Sequence, residues 1–245
     1  MQFSMRNWGV TTLAVFLGLG CSSSPTGVPV EGAGGGGATA YAVASSTAIE
    51  QALTQADAYY ITQYHHAVYN PNQRHAGNAN CGPTSLAMAL RAFGKEPAGL
   101  ESRAKANELV LAVRKAMTGT TNENTWTYPV QVRDGARRFG LKGEVVFTLP
   151  AIQAAMAVPG RLMVVNVNPT PAYVDQLADR YDGGHFALVT AIKGNQVYLS
   201  DPLASGPIVI SLKQLETALT TPLGTDPNGR WVPPFDGGVA LWSPN

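Results

Sequence analysis

Two apolar runs, His185 to Ile192 and Gln196 to Leu199, flank Lys193-Gly194-Asn195. Such runs on either side of a Gly-Asn turn predict a β-hairpin, and a hairpin forces antiparallel pairing. Further strand signals lie at Glu144–Phe147, Leu162–Val167, Pro207–Ile210 and Gly238–Trp242. Helix signals dominate the earlier half. Thr47-x-x-Glu50 has the pattern of a capping box, with Ile49, Leu53 and Ala56 on one face. Pro83 suits a first helical turn, Leu86, Leu90 and Phe93 form a stripe, and Gly94 suits the stop. Residues 102–117 place Leu109, Val113 and Met117 at helical spacing, and Pro129–Phe139 does the same with Val132, Ala136 and Phe139. Pro150–Val158 is a short helix, and Ser211-x-x-Gln214 caps a last one. Helices early and antiparallel strands late predict an α+β domain.

The hydrophobic fraction of 45% is enough to build a sizeable core. A formal charge of +1, without a Lys/Arg cluster, argues against nucleic acid or an electrostatic membrane surface as partner. Residues 1–20 read as an export signal: Arg6 is followed by an apolar stretch too short to span a bilayer, ending Leu17-Gly18-Leu19-Gly20-Cys21. This resembles a bacterial lipoprotein signal, which implies that Cys21 becomes the lipidated first residue of a membrane-anchored protein. Residues 21–45 are rich in Gly, Ser and Pro and read as a flexible tether. The folded domain is then expected over residues 46–245, with the membrane a partner through the lipid alone.

With Cys21 accounted for, Cys81 is a lone thiol in Asn80-Cys81-Gly82-Pro83-Thr84-Ser85. It stands where a helix begins, and a helix N-terminus favours the nucleophilic thiolate. A thiolate needs a base, and the base an orienting group. His185, in Gly183-Gly184-His185-Phe186-Ala187, opens an apolar strand, and the hairpin returns Asp201 of Leu199-Ser200-Asp201-Pro202 to its neighbourhood. Each has a plainer reading: an inert buried thiol, a structural histidine, a turn-forming Asp. His65 and His66 lack further metal-ligand spacing and read as solvated loop residues. Trp126 and Tyr128 suit either a cleft wall or a satellite core.

The three segments around Cys81, His185 and Asp201, in that order, resemble the signature segments of the bacteriocin-leader-processing-like cysteine peptidases, a branch of the papain-like superfamily. The resemblance covers roughly residues 58–245. It implies a nucleophile-bearing helix packed on an antiparallel β-sheet, a Cys-His-Asp triad acting on a peptide or protein substrate, and no cofactor. It also implies an upstream Gln in the oxyanion hole. Ile61-Thr62-Gln63-Tyr64 supplies Gln63, with Gln73 as the rival. The transporter segments of true leader peptidases are missing from the sequence, so bacteriocin maturation is not implied. Two other functions fit the same residues: hydrolysis or transfer at non-peptide amides of cell-wall or conjugate substrates, and a non-catalytic binding module.

The triad imposes a condition on register, because side chains alternate along a strand. A regular hairpin with a two-residue loop would place Asp201 opposite Leu188, facing away from His185. The expectation is therefore a three-residue loop, or else a bulge that restores the parity, so that Asp201 opposes Ala187.

Overall fold

A computed structural model gives the fold and describes residues 55–63, 79–123, 125–170, 172–178, 183–225, 232–234 and 237–244. The export signal, Cys21, the tether, the capping box at Thr47, His65, His66, His75 and Gln73 lie outside the described residues. In chain order the helices are α1 (Cys81–Phe93), α2 (Ala106–Thr118), α3 (Pro129–Arg138), α4 (Leu149–Met156) and α5 (Leu212–Thr220). The strands are β1 (Lys142–Val146), β2 (Arg161–Val167), β3 (His185–Lys193), β4 (Gln196–Ser200), β5 (Ile208–Ser211) and β6 (Gly238–Trp242). The expected elements are therefore present within a few residues of their signals, and residues 55–59 are helical as well.

The six strands form one antiparallel sheet in the order β1-β6-β2-β3-β4-β5. Alternation along the strands sorts their side chains onto two cores. Phe186, Leu188, Val164 and Val239 join α1, α2 and α3 on one face. Ala187, Val189, Val165 and Ala240 join α4 and α5 on the other. Both faces are thus covered, which explains why β2 and β3 read as nearly continuous apolar runs.

Local chemistry sets the helix ends. Gly94 takes the left-handed conformation (φ 59°) that ends α1, and Ser211 and Gln214 complete a reciprocal capping box on α5. The sequence stripe on α1 understates its burial: every residue from Cys81 to Leu90 is buried. The helix lies under α2 and α3 and against β3, so small residues such as Ala87 and Ala89 are buried beside the expected Leu86 and Leu90. Gly82 answers to the same closeness, since a Cβ there would stand 2.4 Å from the Thr127 hydroxyl.

The expected three-residue hairpin loop is corrected by the structure. Lys193 pairs with Gln196, Ile192 with Val197 and Ala191 with Tyr198, so the loop is the two residues Gly194-Asn195. Gly194 has the positive φ (57°) favoured in such turns. The parity is restored by the alternative, a β-bulge: Val189 pairs with Leu199 and Leu188 with Ser200, leaving Thr190 as the extra residue. The Thr190 hydroxyl donates to the Tyr198 carbonyl at 3.3 Å. One step further along this register sets Asp201 against Ala187, on the face that His185 shares.

Candidate active site

Asn80 precedes α1, and the helical ladder begins with the Thr84 N–H donating to the Asn80 carbonyl at 2.8 Å. The N–H groups of Cys81 and Gly82 therefore stand outside the ladder, and Pro83 has none to leave unsatisfied. Free donors at a helix N-terminus suit a negative charge. Cys81 is buried and unbridged.

His185 opens β3 and is only 1% exposed. Its Nε2 lies 2.7 Å from Asp201 Oδ1. A carboxylate only accepts, so Nε2 carries the proton and Nδ1 is left for the hydrogen bond with Cys81. The Asp201 carboxylate is fully buried, and both its oxygens are occupied. Oδ1 also accepts from the Leu203 N–H at 2.8 Å, and Oδ2 accepts from the Tyr173 hydroxyl at 3.0 Å. Burial and the adjacent Asp201 charge hold the Tyr173 hydroxyl well above the usual tyrosine range, so it stays a donor. The Tyr60 hydroxyl sits between the carbonyls of Asp201 (2.7 Å) and Ala204 (2.6 Å) and shares its one proton between them.

The electrostatics oppose burial to partnership. Burial disfavours an imidazolium, yet the charge and hydrogen bond of Asp201, with Cys81 adding to them, raise His185 to about 10. Burial would raise the Cys81 thiol. The hydrogen bond and charge of His185, with backbone hydrogen bonds from Phe186 and Gly82, outweigh it and bring the thiol below its ordinary value. Both directions favour one state, a buried thiolate–imidazolium pair.

Gln63 is buried, and its N–H donates to the Pro202 carbonyl at 3.0 Å, which ties it to the residue after Asp201. Its side-chain Oε1 has no hydrogen-bond partner among the described residues. Trp126 and Tyr128 are exposed and join neither core. Tyr128 lines a groove of about 630 Å³ with Arg133, Arg137 and Phe147 that contains none of the three residues around the thiol. Thr127, between them, packs on Gly82.

Sequence reasoning did not find Tyr60, Tyr173, Asn80 or Arg114. A signal existed for Arg114, which falls between Val110 and Met117 on the apolar stripe of α2, where a charge is tolerated only with partners. Asn80 adjoins the nucleophile in sequence. Nothing local marks either tyrosine, because their partners are long-range.

A thiol at a helix start, an imidazole and a carboxylate at the end of an antiparallel sheet are the arrangement of a papain-like cysteine peptidase. The chain belongs to the Peptidase_C39 like family, whose pattern matches residues 55–217, and it is a cysteine peptidase. No curated protein sequence matches it. Among solved structures it is similar to a double glycine motif protease from an AMS/PCAT transporter in complex with the leader peptide. That pair is 17% identical with a TM-score of 0.39, covering 66% of this chain and 81% of the other. The peptidase domain of Streptococcus ComA, a bi-functional ABC transporter involved in a quorum sensing pathway, is 14% identical with a TM-score of 0.42. The match covers 68% of this chain and 93% of that one. The Pseudomonas avirulence protein AvrPphB is 15% identical with a TM-score of 0.31, covering 57% and 79% respectively.

The ion pair has a signature in alkylation. An ordinary thiol labels about tenfold more slowly for each pH unit below its pKa, near about 8.5. The iodoacetamide rate at Cys81 should instead hold a plateau from mildly acidic pH upward and change again only near pH 10, where His185 loses its proton. A single rise with the midpoint of a free cysteine would refute the pair.

Proposed function

We propose that the protein hydrolyses peptide bonds through Cys81, His185 and Asp201, by way of an acyl-enzyme. The observation that carries this is the 2.7 Å contact of His185 with a fully buried, fully hydrogen-bonded Asp201, beside a free Cys81 at a helix start. The Cys81 thiolate attacks the carbonyl carbon, and the developing oxyanion is met by the Cys81 N–H and the Gln63 side chain. His185 passes a proton from Nδ1 to the departing amine. Nδ1 then accepts a proton from water as that water attacks the thioester, and Cys81 is released. Asp201 holds the tautomer and supports the imidazolium. A peptide or protein is the substrate class that fits membership of a peptidase family.

Profiling the protein against a peptide library tests this. Cys81→Ala should abolish hydrolysis and trapping by thiol-directed inhibitors while the fold melts normally, and full activity in that variant would end the reading. In the same assay Gln63→Ala should lower kcat by about 10²–10³ with less effect on KM. A silent Gln63→Ala beside a severe Gln73→Ala would move the oxyanion role to Gln73.

We further propose that residues 1–20 direct export, that Cys21 carries lipid, and that residues 21–45 tether the peptidase to a membrane. The Gly20-Cys21 junction and the Gly-rich run behind it support this. Among the described residues no helix is long and apolar enough to cross a membrane. Cys21→Ser should release the protein from the membrane fraction. An unmodified mature N-terminus downstream of Cys21, in membrane-free material, would contradict lipid anchoring.

A further inference from the structure

Arg114 is fully buried, the only Arg or Lys among the described residues to be so. Its Nε donates to Asn80 Oδ1 at 2.7 Å, and its Nη2 donates to the Ala79 carbonyl. Its Nη1 donates to the carbonyls of Asn122 (3.0 Å) and Thr125 (2.8 Å). Every acceptor is neutral, and no carboxylate among the described residues forms a salt bridge with it. A buried charge bonded to neutral acceptors alone is costly, and apolar residues of similar volume would pack there at less cost. The residues it grips are the two that precede the nucleophile, together with the turn leading to Thr127, which packs on Gly82.

We propose that Arg114 is a positioning residue of the active site, whose fork fixes the Ala79-Asn80 entry to α1 and whose charge, held on the two residues before Cys81, is a second cation, besides His185, that favours the thiolate. Its hold on Asn80 Oδ1 explains why that side chain does not cap α1. The uncapped helix start keeps the Gly82 N–H for the sulfur. With Arg114, Cys81, His185 and Asp201 the buried charges alternate and sum to zero. His185 is the titratable group that acts on Cys81; the Cys81 charge in turn acts on Tyr173 and Arg114, and the half-buried Glu123 also acts on Arg114.

The inference deepens the peptidase reading, but alkylation of the full-length protein tests it without any substrate, so the two fail separately. In folded Arg114→Met the iodoacetamide midpoint should rise by about one pH unit, leaving about tenfold less thiolate on the acid side. Arg114→Lys keeps the charge and loses the planar fork. Its midpoint should stay within about 0.3 unit of wild type while peptide turnover falls. Asn80→Ala, which cuts the fork from the entry turn and spares the cation, should likewise lower turnover and leave the midpoint in place. An unmoved midpoint in folded Arg114→Met, or equal shifts in the Met and Lys variants, overturns the proposal. Where Arg114→Met does not fold, the other two variants decide: an unmoved midpoint supports it, and a raised one in Arg114→Lys overturns it.

Discussion

A carboxylate with no exposure must have each oxygen answered, and at Asp201 that requirement organises one end of the molecule. His185 answers from β3, Leu203 from the turn after β4, and Tyr173 from the connection between β2 and β3. The backbone around the same residue is held by the Tyr60 hydroxyl and by the Gln63 N–H to Pro202. Three partners thus meet the one side chain, and a further chain segment holds the backbone beside it. Removing one partner from a buried ionic pair costs about 3–5 kcal/mol, because the remaining charge is stranded. The site is therefore bound into the stability of the fold.

The same reasoning extends to the nucleophile. A thiolate in a dry interior is favourable only where positive partners stand close, and here the imidazolium and the backbone N–H groups of Gly82 and Phe186 provide them. Such a pair is assembled before any substrate arrives, so no reorganisation is needed at the moment of attack. It also explains the crowding of small residues at the start of α1. Gly82 lets Thr127 and the Phe186 ring approach closely, and β3 can then bring His185 to the sulfur.

What the sequence made legible was local. The caps at Gly94 and Ser211, the periodicity of α2 and α3, and the apolar runs of β2 and β3 are written within a few residues, and the structure follows them. The hairpin shows where local reading stops. Gly194-Asn195 named the turn, but the bulge at Thr190 depends on how two whole strands align, and only the demand that Asp201 face His185 hinted at it. The burial of α1 on every side, and the roles of Tyr60 and Tyr173, follow from contacts between residues far apart in sequence. Arg114 lies between these cases: its place on an apolar stripe was visible, its partners were not. Gln63 was singled out by resemblance, and the structure sets it beside Pro202, its amide oxygen without a hydrogen-bond partner among the described residues.

The central claim is that the thiol and imidazole exist as a buried ion pair in the resting protein. Ring ¹⁵N chemical shifts of His185 across the neutral range test it most directly. The account predicts an imidazolium, protonated on both nitrogens, from pH 7 to at least pH 8, and a fall in its pKa when Cys81 is replaced by Ala and the thiolate is lost. A neutral His185 ring at pH 7 in the unmodified protein would contradict it.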